Sequence, residues 1–125
     1  MSVFVTGTDT GIGKTLVSSW ICLHTRADYW KPIQTGNEKD SKQVHLLAQN
    51  HVYPESYLLK KTLSPFAAAE SERKKIDPKK IILPAPKNLI VEGAGGLFVP
   101  IATHYCMIDL IADLNLPVIL VARVS

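Results

Sequence analysis

Near the start of the chain, Gly7-Thr8-Asp9-Thr10-Gly11-Ile12-Gly13-Lys14-Thr15 brings together the residue types that bind a polyphosphate. Small glycines let backbone N–H groups approach phosphate oxygens, a lysine at a helix start adds a point charge near the β- and γ-phosphates, and a threonine hydroxyl is a ligand for Mg²⁺. The strict pattern has glycine at position 8, where this chain has Thr8 with Gly7 just before it, so the match is a variant. A glycine-rich strand-to-helix turn without a ligand is the alternative. Two further segments place a charged residue ahead of glycines, Lys31-Pro32-Ile33-Gln34-Thr35-Gly36 and Glu92-Gly93-Ala94-Gly95-Gly96. If all three follow parallel strands they share one sheet edge, and Lys31 and Glu92 converge on the γ-phosphate. Taken singly, Lys31 also reads as a solvated strand-end lysine and Glu92 as a capping or surface acid. A phosphate loop alone leaves GTP or ATP, and hydrolysis or transfer, open.

These positions need a strand before each loop, and the chain supplies candidates. Ser2-Val3-Phe4-Val5 is a β-branched and aromatic run stopping at Gly7, and residues 14 to 26 follow with apolar periodicity, giving strand, loop and helix. Tyr29-Trp30-Lys31 reads as a strand ended by Pro32. Residues 40 to 50 suit a short amphipathic helix, and residues 53 to 63 are ambiguous. Ser64-Pro65 and Asp77-Pro78 are helix starts, the second cut short by Pro84 and Pro86. Asn88-Leu89-Ile90-Val91-Glu92 reads as a buried strand with its carboxylate at the tip, residues 108 to 114 as a helix, and residues 117 to 121 as an apolar strand that needs cover on both faces. Strands alternating with helices predict a parallel α/β sheet with right-handed crossovers.

Composition sets the outer limits. The chain has 125 residues, 46% of them hydrophobic, which supports one compact core and not two domains. A charged fraction of 20% and a net charge of +3 exclude a disordered tail and argue against a nucleic-acid binder. Lys60, Lys61, Arg73, Lys74, Lys75, Lys79, Lys80 and Lys87 concentrate charge in the middle, as a solvated helical surface would. No apolar run reaches the roughly 18 residues of a membrane span and no signal-peptide pattern opens the chain, so a cytoplasmic location and no membrane partner are expected. Cys22 and Cys106 have no CxxC pair or nearby histidine ligand and are read as buried free thiols.

Taken in order, the phosphate loop, the Lys31 loop and Val91-Glu92-Gly93-Ala94-Gly95-Gly96-Leu97 resemble the ATP-dependent dethiobiotin synthetases. Partitioning-type ATPases carry a signature lysine where this chain has Asp9, and cobyrinic-acid and cobyric acid amide synthases are the nearest competing enzymes. The resemblance implies a P-loop NTPase-like, Rossmann-like three-layer α/β fold. Because the chain matches only somewhat more than half of a synthetase, it is expected to be the N-terminal part of a larger domain. The implied reaction is Mg-ATP-dependent: 7,8-diaminononanoate takes up CO₂ as a carbamate, ATP phosphorylates it, and the second amine closes the ring to dethiobiotin, releasing ADP and phosphate.

By the same resemblance, Gly11, Ile12, Gly13, Lys14, Thr15 and Leu16 would hold the ATP phosphates, and Gly93, Ala94 and Gly95 would leave room for nucleotide. Lys31 would be the catalytic lysine and Thr35 would bond the carbamate or amine. Thr15, Glu92 and Asp40 would hold Mg²⁺, Asp40 being the best match to an aspartate that the family uses for metal and nucleotide after its Lys-Pro loop. Ser64-Pro65-Phe66-Ala67-Ala68 resembles the family's Ser-Pro-x-x-Ala helix start, with Phe66 where a histidine is common, and is assigned a structural role. A homodimer is implied, with the diamine bound across it. The alternative is an inactive nucleotide-binding fragment that keeps the phosphate half of the site without the base half.

Overall fold

The computed structural model describes residues 1–124, and Ser125 lies outside the described residues. In chain order the elements are β1 (Ser2–Gly7), α1 (Lys14–Thr25), β2 (Asp28–Trp30), β3 (Ile33–Thr35), α2 (Asp40–Ala48), β4 (Val52–Tyr53), β5 (Tyr57–Leu59), α3 (Pro65–Ser71), a 3₁₀ turn (Pro78–Lys80), β6 (Leu89–Glu92), β7 (Pro100–Ala102), β8 (Tyr105–Cys106), α4 (Met107–Leu114) and β9 (Val118–Val121). Five strands build a parallel sheet in the order β4-β2-β6-β1-β9. This is the expected α/β architecture.

Two apolar clusters hold the layers together. On one face, Cys22 of α1 and Val44 of α2 pack with Val5, Tyr29 and Ile90 of the sheet. On the other, Ala68 and Ala69 of α3 and Met107, Leu110 and Ile111 of α4 pack with Phe4, Trp30 and Val91. Successive strand residues alternate between the two faces, so Val5 and Glu92, which are paired in register, share the α1 face. Helix α1 buries Ser18, Ser19 and Cys22 and packs Val17 and Ile21 against the same cluster, while Leu16, Trp20 and Leu23 point outward.

Several expectations are revised. Pro32 ends β2 as expected, yet the chain resumes at once as β3, which pairs in parallel with β5 in a separate small sheet. Pro32 makes the join, because its carbonyl accepts the N–H groups of Ser56 and Tyr57 at 2.8 and 3.0 Å. The antiparallel pair β7 and β8 was not expected either. The helix expected after Asp77-Pro78 is only a 3₁₀ turn, capped by the Asp77 side chain on the Lys79 N–H at 3.0 Å. The middle lysines and arginine are exposed as expected, but none of them lies in an α-helix. Cys106 is partly exposed, not buried, because it serves as the N-cap of α4. Strand β9 forms the outer edge of the sheet with Val118 46% and Leu120 52% exposed, so the cover expected on both faces is incomplete.

Candidate functional site

The three loops leave the C-terminal ends of β1, β2 and β6, which are neighbours in the sheet. The phosphate loop turns into α1 at Gly13, whose φ of +102° is left-handed backbone that favours glycine. That N-cap has no side-chain cap, so the first-turn N–H groups and the positive end of the helix dipole are left for an anion. The glycines after β6 fit against the same loop, since a Cβ on Gly96 would stand 2.8 Å from the Thr8 carbonyl oxygen.

Four charged side chains meet behind this loop. Lys31 follows Trp30, which is paired in register with Val91, and so it stands beside Glu92. Its Nζ is ion-paired with Asp40 Oδ2 and lies 3.4 Å from Glu92 Oε2. Lys14 folds back to donate to the Asp9 carbonyl at 2.8 Å. Burial lowers the Lys14 pKa, with the Glu92 carboxylate opposing that shift and the Lys31 ammonium reinforcing it. Two cations and two carboxylates therefore balance before any ligand enters.

Glu92 is the centre of the network, 1% exposed. Its Oε2 accepts from the Thr15 hydroxyl at 2.9 Å and its Oε1 accepts from the Tyr29 hydroxyl at 2.9 Å. Tyr29 was not singled out from the sequence, and neither was Gln34. The buried Gln34 amide donates to the Thr35 carbonyl at 2.8 Å and accepts from the Asp40 N–H at 3.0 Å, fixing the start of α2 where Asp40 sits. Tyr29 lies in no recognisable motif and only its strand register could have pointed to it, whereas Gln34 stands inside the Lys-Pro loop, where its neighbours Lys31 and Thr35 drew the assignments.

A cleft of about 960 Å³ opens over these groups. Gly11, Gly13, Lys14, Thr15, Leu16, Lys31, Thr35, Asp40, Glu92, Ala94 and Gly95 all line it. Two expected phosphate-site residues do not. The Ile12 side chain fills the space beside Gly7, and Gly93 faces Phe4 and Met107 in the core while its N–H bonds Val5 at 3.0 Å. Ser64 and Pro65, assigned a structural role, line the cleft as well, and Ser64 caps α3 by accepting the Ala67 N–H at 3.3 Å. A separate hollow of about 460 Å³ between α2 and β4 holds none of the charged groups of the network.

Among the described residues, no three His, Cys, Asp or Glu side chains gather to hold a metal by themselves. Thr15, Asp40 and Glu92 offer one hydroxyl and two carboxylates, which are hard oxygen donors. That set fits Mg²⁺, which takes one or two carboxylates and fills its remaining positions with substrate phosphates and water.

A family model described as AAA domain matches residues 1–125. The chain belongs to this AAA domain family. Within this family of phosphate-loop NTPases, the chain is 51% identical over 125 residues to the ATP-dependent dethiobiotin synthetase BioD of Lawsonia intracellularis, covering 98% of this chain and 62% of that protein. It is 49% identical over 125 residues to the protein of the same name from Paramagnetospirillum magneticum, covering 97% of this chain and 61% of that protein. It is also 50% identical over 128 residues to the biotin biosynthesis bifunctional protein BioCD of Bordetella avium, of which it covers 28%. The resemblance read from the three loops thus extends along nearly the whole AAA-domain chain, which spans less than two thirds of the length of the synthetases it matches. No helix among the described residues is long and apolar enough to cross a membrane.

Proposed function

We propose that the chain carries the phosphate-transfer half of a dethiobiotin synthetase, an ATP-dependent ligase that closes 7,8-diaminononanoate and CO₂ into a cyclic urea. One observation carries this reading: Lys31, held between Asp40 and Glu92, lies in the same cleft as Lys14 and Thr15 of the phosphate loop. One amine of the diamine adds CO₂ to form a carbamate and sheds a proton. A carbamate oxygen then attacks the γ-phosphorus, the bond to the β–γ bridging oxygen breaks, and ADP leaves. The second amine attacks the carbamoyl carbon, phosphate departs with its oxygen, and the remaining proton is lost.

Each step brings negative oxygens together, so the work of the protein is positioning and charge neutralisation. In this proposal the N–H groups of residues 11 to 16 and the Lys14 ammonium hold the β- and γ-phosphates. Lys31 binds the carbamate and transferring phosphoryl oxygens, and its pairing with two carboxylates keeps it aimed. The Thr35 hydroxyl orients the carbamate or the free amine. Thr15, Asp40 and Glu92 would hold Mg²⁺, which when bound neutralises phosphate charge. The partners proposed are ATP, the diamine, CO₂ and a second copy of the protein in a cytoplasmic homodimer.

The test is ADP release with Mg-ATP and bicarbonate, with and without 7,8-diaminononanoate, with dethiobiotin followed by mass. Diamine-dependent ADP with an equal amount of dethiobiotin is expected, and ADP release that ignores the diamine would reject the reading. The half-exposed Val118 and Leu120 favour a second reading, in which the chain binds the triphosphate without turning over. Saturable ATP binding with no dethiobiotin formed would select it.

A further inference from the structure

The Glu92 carboxylate has three partners, and they are not equivalent. Thr15 and Lys31 line the cleft, where an entering phosphate or cation would meet both. Tyr29 is fully buried on the α1 face of the sheet among Val5, Cys22, Val44 and Ile90, and it lies outside the cleft lining. Its hydroxyl reaches along β2 and donates to Oε1, while Oε2 takes Thr15 and Lys31. The last torsion of a glutamate is broad and close to two-fold, so rotamer preference alone does not aim one oxygen at the cleft.

We infer that Tyr29 is a positioning residue: its phenol locks Glu92 Oε1 on the dry side and so presents Oε2 to the Mg²⁺-nucleotide. This rests on the proposed assignment of Glu92 to the metal. Outer partners of metal-binding carboxylates set ligand orientation, and their loss typically costs about ten- to a hundredfold in metal affinity. The bond also satisfies both buried polar groups, which a purely structural tyrosine would do equally well. What separates the two roles is a selective effect on metal dependence.

The experiment titrates Mg²⁺ into the full chain with a fluorescent ribose-labelled ATP analogue and reads the Mg²⁺ concentration for half-maximal binding, alongside binding in EDTA. Tyr29→Phe keeps the ring and removes the hydroxyl. Ile90→Val perturbs the same packed face, where Ile90 is the register partner of Tyr29, and leaves the hydrogen bond in place. Glu92→Gln removes the carboxylate. The expected result is a rise of about tenfold in half-saturating Mg²⁺ for Tyr29→Phe, with EDTA binding unchanged and Ile90→Val matching the wild type. A Tyr29→Phe titration within twofold of wild type, while Glu92→Gln still loses its Mg²⁺ response, would overturn the inference and leave the functional reading intact. An equal loss of binding in EDTA would also overturn it, making Tyr29 structural. A wild-type chain with no Mg²⁺ response would instead reject the assignment of Glu92 on which the inference depends.

Discussion

Strands β6 and β9 both pair in parallel with β1, one on each side, and their surroundings are opposite. All four residues of β6 are buried, whereas β9 alternates exposed and half-buried positions. The chemistry follows the burial. β6 ends in Glu92, which is surrounded by Thr15 of α1, Tyr29 of β2 and Lys31 in the join that follows β2. Among the described residues β9 lends the cleft no side chain; it supports the phosphate loop by pairing with β1 and through the Val121 carbonyl, which accepts the Thr8 N–H at 3.2 Å. A carboxylate withdrawn from water must be ringed by donors, and only a central strand has neighbours on both sides to supply them.

The contrast is tested most strongly by truncating each strand. Leu89 on β6 is fully buried, so Leu89→Ala should cost about 2–5 kcal/mol by transfer and cavity effects together. Val118 on β9 is 46% exposed, and Val118→Ala should stay within about 0.5 kcal/mol. Urea midpoints of the two variants measure this directly, and equal losses would erase the distinction. Next in size is the charge network at the tip of β6. Lys31→Ala leaves Asp40 and Glu92 without the cation between them, and under the proposed chemistry kcat/KM should fall about a hundred- to a thousandfold. Diamine-dependent ADP formation reads the loss, and retained activity would move the chemistry away from this strand end.

A smaller effect is expected where the β6 loop touches the phosphate loop. Gly96→Ala would bring a methyl group within 2.8 Å of the Thr8 carbonyl, which is backbone and cannot swing aside. Overpacking of this kind costs about 1–3 kcal/mol, and weaker binding of ATP should accompany it. Normal ATP affinity in a folded Gly96→Ala variant would show that the two loops are not coupled.

The parts of this site legible in the sequence are those made by local pattern. Gly13-Lys14-Thr15 after an apolar strand announces its turn, and Lys31 and Glu92 announce theirs, because each is followed by residues whose backbone needs are visible one position at a time. Tyr29 and Gln34 escaped for the opposite reason. Tyr29 reaches a residue 63 positions away through strand pairing, and Gln34 acts on the backbone N–H of Asp40. The small strands β3 and β5 escaped similarly, since Ile33–Thr35 follows a proline and has a strand signal only through its partner Tyr57–Leu59. The apolar residues of α1 show the limit of periodicity: they mark a helix correctly but fall on two faces, since Val17 and Ile21 pack inward beside the buried serines and Cys22 while Leu16, Trp20 and Leu23 point outward.

The two cysteines give the gentlest probe of covered against open regions. Cys22 sits 1% exposed under α1, and burial pushes its thiol up from 9.0 to about 12, with the Asp28 and Glu92 charges adding to the shift. The folded value lies above the unfolded one, so the stabilisation is complete below pH 9 and is lost as pH rises from there toward 12. The physical reason is that the unfolded chain releases a proton that the folded chain keeps. Urea midpoints should therefore decline above pH 9 more steeply in the wild type than in Cys22→Ala, which has no thiol to titrate. Iodoacetamide under native conditions should label Cys106, partly exposed at the N-cap of α4, and should reach Cys22 only after denaturant is added. Parallel pH profiles for the two proteins, or native labelling of Cys22, would mean that water enters beneath α1 and that the dry face behind Glu92 is less closed than its packing implies.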